Sequence, residues 1–274
     1  MQRREFIGLT LATGGTLLGT QQPAIAQTVL VPPPMAAKAG FTTLVFQDEF
    51  DVWPDIGFGE NGHQWQAGLW WEQVPNPLSF KQFGTTLTIM GGPSQPVNLC
   101  TQDHVIPAGA TSAGGTQFLG GYFEARMQCW DWSAFWLFCW DRPWVWASKV
   151  DPNNPMTWTN EIDIVETDPG FYNSVWHTLH RNSSGDSLPD QQNSPVEFDT
   201  NTGIVGYWHN YGLLWTQNKL TWFVDEIPVL SLPPYPSTWQ PTQLVLTAAP
   251  GGVNGSPSKT PIPVTKVDWV HVWH

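Results

Sequence analysis

The sequence predicts an all-β protein built as a sandwich or barrel. Short β-rich runs recur along the chain, clusters of Pro, Gly, Asn and Ser separate them, and no segment sustains a 3.6-residue apolar period. The 25 glycines and 25 prolines are spread through the 274 residues instead of gathering in a linker. Hydrophobic residues make up 41% of the chain, enough to bury one core. No internal repeat is visible, which argues against a propeller or solenoid. No break in composition marks a second domain.

Residues 1–26 read as an export address. Arg3 and Arg4 precede Phe6 and Ile7, a weakly apolar run rich in Gly, Leu and Thr covers 7–19, and Ala24-Ile25-Ala26 gives a small-x-small cleavage pattern before Gln27. The paired arginines resemble a twin-arginine signal. That implies a prokaryotic source, folding before export, and a secreted or periplasmic destination. The run is too short and too glycine-rich to span a bilayer, and no other segment reaches 18 apolar residues, so no membrane span is expected. Residues 27–40 read as a Pro-rich leader in which Val31-Pro32-Pro33-Pro34 is stiff and extended. The remaining 41–274 form one domain. Strands are expected over 44–50, 84–90, 117–130, 134–140, 161–166, 174–180, 205–215, 219–225, 242–248 and 264–273. Turn clusters fall at 91–96, 151–155, 181–195, 232–241 and 250–263, and the long polar stretch 181–195 reads as a mobile loop.

Composition narrows the partners. Eleven Lys and Arg against 23 Asp and Glu give a formal net charge of −12. A nucleic-acid binder needs a basic surface for phosphates, so nucleic acid is not expected as a partner, and a sulfated polymer is disfavoured for the same reason. Three cysteines are too few for a disulfide scaffold. Cys100, Cys129 and Cys139 read as buried small hydrophobes, with a Cys129–Cys139 bridge after export left open. The unusual count is 18 tryptophans.

One predicted strand carries three acids. Residues 158–166 read Trp158-Thr159-Asn160-Glu161-Ile162-Asp163-Ile164-Val165-Glu166. Residues two apart on a strand share a face, so Glu161 and Asp163 point one way while Ile162 and Ile164 point into the core. Glu166 is out of phase with Glu161, and a one-residue bulge between Asp163 and Glu166 restores it. Three neighbouring carboxylates cannot all ionise cheaply, so at least one pKa must rise. Paired carboxyl groups of that kind suit double-displacement glycoside cleavage, in which one attacks the anomeric carbon and the other protonates the departing oxygen. The competing readings are a solvated strand with alternating acids and a hard-cation site. No Asp/Asn/Gly calcium loop surrounds the acids, so no metal is expected. His177 and His180 lie three apart on a strand, hence on opposite faces, which argues against a metal pair.

Glu161-Ile162-Asp163-Ile164-Val165-Glu166 resembles the bulged catalytic motif of family-16 glycoside hydrolases, which include laminarinases, agarases, carrageenases and lichenases. Phe46-Gln47-Asp48-Glu49-Phe50-Asp51, Gly121-Tyr122-Phe123-Glu124-Ala125-Arg126-Met127 and Ala134-Phe135-Trp136-Leu137 resemble the family's earlier core strands. Tyr211-Gly212-Leu213-Leu214-Trp215, Thr221-Trp222-Phe223-Val224-Asp225 and Val267-Asp268-Trp269-Val270-His271-Val272 resemble the later ones. The blocks run in family order across most of 44–273. The resemblance implies a jelly-roll β-sandwich of two antiparallel sheets with a concave cleft. It also implies Glu161 as nucleophile, Asp163 as assisting carboxylate and Glu166 as acid/base, with no cofactor, in a secreted monomer. The chain departs from the pattern at Asn160 and Glu226, where the family often has Gly, and in insertions at 141–157 and 181–195.

Sugars stack apolar C–H faces on aromatic rings, which gives the tryptophans a use. Trp136, Phe138 and Trp140 share one face of their strand, and Phe135, Leu137 and Cys139 share the other. Trp136, Trp140 and Trp158 are therefore candidate substrate contacts, together with His180, which resembles a family position near the cleaved bond. Trp215, Trp222 and Trp269 fall in core-strand blocks and read as structural. The expected partner is a neutral β-linked polysaccharide. A β-1,3-glucan comes first, agarose is the nearest rival, and transglycosylation is open to the same chemistry. A glucan-binding lectin that has lost catalysis is the rival of a different class.

Overall fold

Alternation of apolar and polar residues along short segments dictates a two-sheet solution, because each strand has one face to bury. The computed structural model describes residues 30–274 apart from 71, 106–113, 140–158, 172, 183–190, 193–195, 198–203, 235–238 and 253–255. The proposed signal, 1–26, lies outside the described residues, as do Trp140, Trp158 and most of the stretch 181–195. Val31–His274 clusters as one unit.

The strands in chain order are β1 (Leu44–Asp48), β2 (Ile56–Gly57), β3 (Trp65–Ala67), β4 (Phe80–Phe83), β5 (Thr86–Met90), β6 (Val97–Cys100), β7 (Gly121–Cys129), β8 (Trp132–Cys139), β9 (Thr159–Thr167), β10 (Ser174–Asn182), β11 (Gln191–Gln192), β12 (Val196–Glu197), β13 (Trp208–Trp215), β14 (Leu220–Val224), β15 (Ile227–Leu232), β16 (Gln243–Ala249) and β17 (Val264–Trp273). One sheet runs β15-β14-β13-β7-β17-β5-β4, with β1 also on β17; the other runs β11-β10-β9-β8-β16-β6-β3-β2, with β12 also on β10. The pairings are antiparallel except β2 with β3. This is the expected all-β jelly-roll sandwich.

Both sheets feed one core. Phe123, Ala125, Met127 and Cys129 of β7 meet Phe135 and Leu137 of β8, Ile162, Ile164 and Val165 of β9, and Trp215 and Trp222 of β13 and β14. Trp215 and Trp222 are thus structural, whereas Trp269 lies outside that core and stacks on His271 with centroids 4.4 Å apart. Cys129 is a free, buried thiol, which sets aside the bridge to Cys139. Burial pushes the thiols of Cys100 and Cys129 up to about 12.

Two expectations are corrected. The leader is not extended throughout, because Pro34–Ala39 is a short helix, α1, begun by proline and closed by Gly40 in the left-handed region at φ 90°. The expected strand list omits β2, β3, β4, β6, β11, β12 and β15. Most are four residues or fewer, too short for a period, and β15 contains Pro228, which an edge strand tolerates. The β14–β15 turn uses Asp225 and Glu226, both at positive φ (48° and 65°), the second being the position where the resemblance noted Gly in the family. Asp225 offsets that strain by accepting from Asn210 N at 2.9 Å and pairing with His209 at 2.7 Å.

Candidate active site

The site is built on the face of β9 turned away from the core. Against β8, Phe135 pairs with Val165 and Trp136 with Asp163, so Ile164 is an extra residue. Against β10, Trp176 pairs with Glu166 and Thr178 with Asp163, so His177 alone faces Ile164 and Val165. Ile164 and Val165 are both fully buried in the core. Two successive inward residues shift the phase of the strand, and Glu166 joins Glu161 and Asp163 on the outer face.

The three acids interact. Glu166 is almost fully buried, and its pKa is raised well above the ordinary 4.5. Desolvation is the main cause, followed by the charge of Asp163; a hydrogen bond from Trp132 Nε1 to Oε1 (3.1 Å) and the His180 ring oppose it, and Glu161 adds to it. His180 reaches the group from β10, with Nε2 2.8 Å from Asp163 Oδ2 and 3.8 Å from Glu161 Oε1. Asp163 is buried, while Glu161 and His180 are each about a quarter exposed. One ligand atom from each of Glu161, Asp163 and His180 lies within 4.8 Å of the others, so these three could also hold a metal ion.

Trp136 lies beside the acids, as alternation along its strand requires. It pairs with Asp163 in register, packs edge-on against Phe138 at 5.4 Å, and joins a second apolar cluster with Leu69, Trp70, Cys100 and Val245. Its indole donates to Thr247 Oγ1 (2.9 Å), Thr247 donates to Asn98 Oδ1 (2.6 Å), and Asn98 Nδ2 donates to both oxygens of Glu72 (2.8 and 3.0 Å). This chain fixes the ring plane of Trp136.

His177, by contrast, points into the core and His180 does not, as their spacing requires. Sequence reasoning missed Trp132, Trp176, Thr178, Thr247, Asn98 and Glu72. Trp132 was legible, since extending the Trp136–Ala134 alternation by two residues reaches it. Glu72 and Asn98 come from segments with no local signal.

A family model described as Glycosyl hydrolases family 16 matches residues 93–271. Among similar proteins is Endo-1,3-1,4-beta-glycanase EglC of Rhizobium meliloti (strain 1021), 27% identical over 206 residues, which are 73% of this chain and 40% of that one. Endo-1,3-1,4-beta-glycanase ExsH of the same organism is 25% identical over 225 residues, 79% of this chain and 44% of that one. The chain therefore spans less than half the length of either relative. A laminarinase structure from Flavobacterium sp. UMI-01 superimposes with a TM-score of 0.59 at 21% identity, over 85% of this chain and 100% of that one, a likeness of fold.

Proposed function

This chain belongs to glycosyl hydrolases family 16, and from that premise we propose that it is a retaining endo-β-glucanase acting on a neutral β-glucan, laminarin-type β-1,3-glucan before the mixed 1,3-1,4 polymers. One observation carries this reading. The bulge in β9 sets three carboxyl groups on one face, and one of them, the buried Glu166, favours its protonated form.

Each group then has a task. Glu161, the more exposed of the outer pair, attacks the anomeric carbon. Glu166 delivers its proton to the glycosidic oxygen. Formation of the glycosyl ester consumes the charge on Glu161, which removes one of the repulsions that raise Glu166. The pKa of Glu166 falls at the step where it must accept a proton from water. Asp163, held by His180, is after desolvation the largest influence raising the pKa of Glu166, and so helps to set which group carries the proton. Trp136, beside Asp163, offers an aromatic face to the sugar next to the cleaved bond. The arginine pair and cleavage pattern in residues 1–26 support export from a prokaryotic cell.

Incubation with laminarin, lichenan and agarose, read by reducing-end release and product length, tests the proposal. Short oligosaccharides from laminarin, or from lichenan as the names of the relatives favour, are the expected result. Release from agarose alone would make the chain an agarase. Tight binding to a glucan without any release would make it a lectin.

A further inference from the structure

The bulge raises a question of its own. An extra residue displaces peptide groups from the sheet ladder, and a buried carbonyl left without a donor is costly. The two successive carbonyls at the bulge are those of Asp163 and Ile164. Trp222 Nε1 donates to the first at 2.8 Å, and His177 Nδ1 lies 2.6 Å from the second. Trp222 belongs to β14 in the other sheet, so its bond crosses the core. His177 is the residue of β10 that faces two residues of β9. Both rings are fully buried.

We propose that Trp222 and His177 are positioning residues of this site, their ring N–H groups holding the two bulge carbonyls so that Glu166 stays in phase with Glu161 and Asp163. The alternative state of β9 is a regular strand, in which Val165 turns outward and Glu166 turns into the apolar core. A one-residue slip of this kind flips the side chains beyond it. The two donors stabilise the bulged state and have no counterpart in the regular one. A carbonyl can only accept, so Nδ1 of His177 carries the hydrogen. Its Nε2 is buried without a partner among the described residues, as a bare lone pair allows. Burial lowers the His177 pKa to about 4, which keeps the ring neutral and the donor in place above that pH. The ionisable groups facing Glu166 are Asp163 and Glu161 on its own strand and His180 from β10, while β8 contributes the uncharged Trp132 indole.

The inference rests on the hydrolase reading, and four variants test the two apart. Trp222→Phe and His177→Leu each remove one donor. His177→Asn keeps an amide N–H near the position of Nδ1. Trp215→Phe is the control, because Trp215 is equally buried in the same core and its indole nitrogen has no partner among the described residues. Trp222→Phe and His177→Leu should lower kcat by about ten- to a hundredfold with KM little changed. They should also move the Glu166 titration, read by 13C NMR of its carboxyl, to higher pH as the side chain turns towards the apolar core and leaves the Trp132 indole. His177→Asn should recover most of the loss. Trp215→Phe should leave kcat and the titration at wild-type values whatever it does to Tm. Wild-type kcat and titration in both donor variants, or the same losses in Trp215→Phe, would overturn the proposal. If Trp222→Phe does not fold, the His177 pair gives the same readouts. Absence of wild-type turnover on every glucan would defeat the hydrolase reading alone, since the carboxyl titration still decides the positioning claim.

Discussion

Replacing Glu124 by Gln tests the electrostatic account away from the acids of β9. Glu124 lies on β7 between core residues Phe123 and Ala125, on the outward face, 4% exposed, and accepts from the Tyr122 hydroxyl at 3.2 Å. Desolvation, with repulsion from Glu226 and Asp225, raises its pKa from 4.5 to about 7. The folded state therefore holds this proton more tightly than the unfolded chain does. The cost to stability is absent below the unfolded pKa, grows as pH rises from 4.5 towards about 7, and is constant above. At about 1.4 kcal/mol per pH unit, that interval amounts to about 3 kcal/mol. Glu124→Gln retains the acceptor for Tyr122 and removes the titration. Urea unfolding followed by tryptophan fluorescence should show the variant matching wild type near about pH 4 and exceeding it by about 3 kcal/mol near about pH 8. Glucanase activity should be unchanged, because Glu124 and the β9 acids lie in different sheets. A stability difference that does not change with pH, or a variant weaker than wild type at the higher pH, would refute the reasoning.

Glu161→Gln should abolish glucan hydrolysis while Tm holds or rises, since it removes one of three neighbouring acids; a thermal melt beside a laminarin assay checks both. The pH–rate profile should be bell-shaped, with activity lost as pH rises through the raised pKa of Glu166. An activity that climbs to a plateau in alkali would contradict its role as acid. Trp136→Phe breaks the donation to Thr247 and frees the chain to Asn98 and Glu72; steady-state kinetics should show KM raised more than kcat is lowered.

The acid-bearing strand β9 was legible because its evidence is local. A period of two places Glu161 and Asp163 together, and the odd step to Glu166 calls for one extra residue, which Ile164 supplies. The same arithmetic puts Trp136 on the acid face and separates His177 from His180. Other features depend on distant partners. The indole that holds Asp163 O is 59 positions away, and no pattern near residue 222 announces it. Asn98 is buried on the outer side of a four-residue strand, too short to show a period. Helix α1 carries a signal in proline at its start and Gly40 after its end, but Val31-Pro32-Pro33-Pro34 has the composition of an extended segment.

Azide rescue tests the central claim most directly, because the configuration of the product reports which carboxyl was removed. With Glu166→Ala and an activated β-glucoside, azide should intercept the glycosyl-enzyme and give a β-glycosyl azide. With Glu161→Ala, azide should occupy the nucleophile's place and give the α-glycosyl azide. Anomeric 1H NMR distinguishes the two. The reverse pattern, or an α-azide from both variants, would contradict the assignment of Glu161 as nucleophile and Glu166 as acid/base.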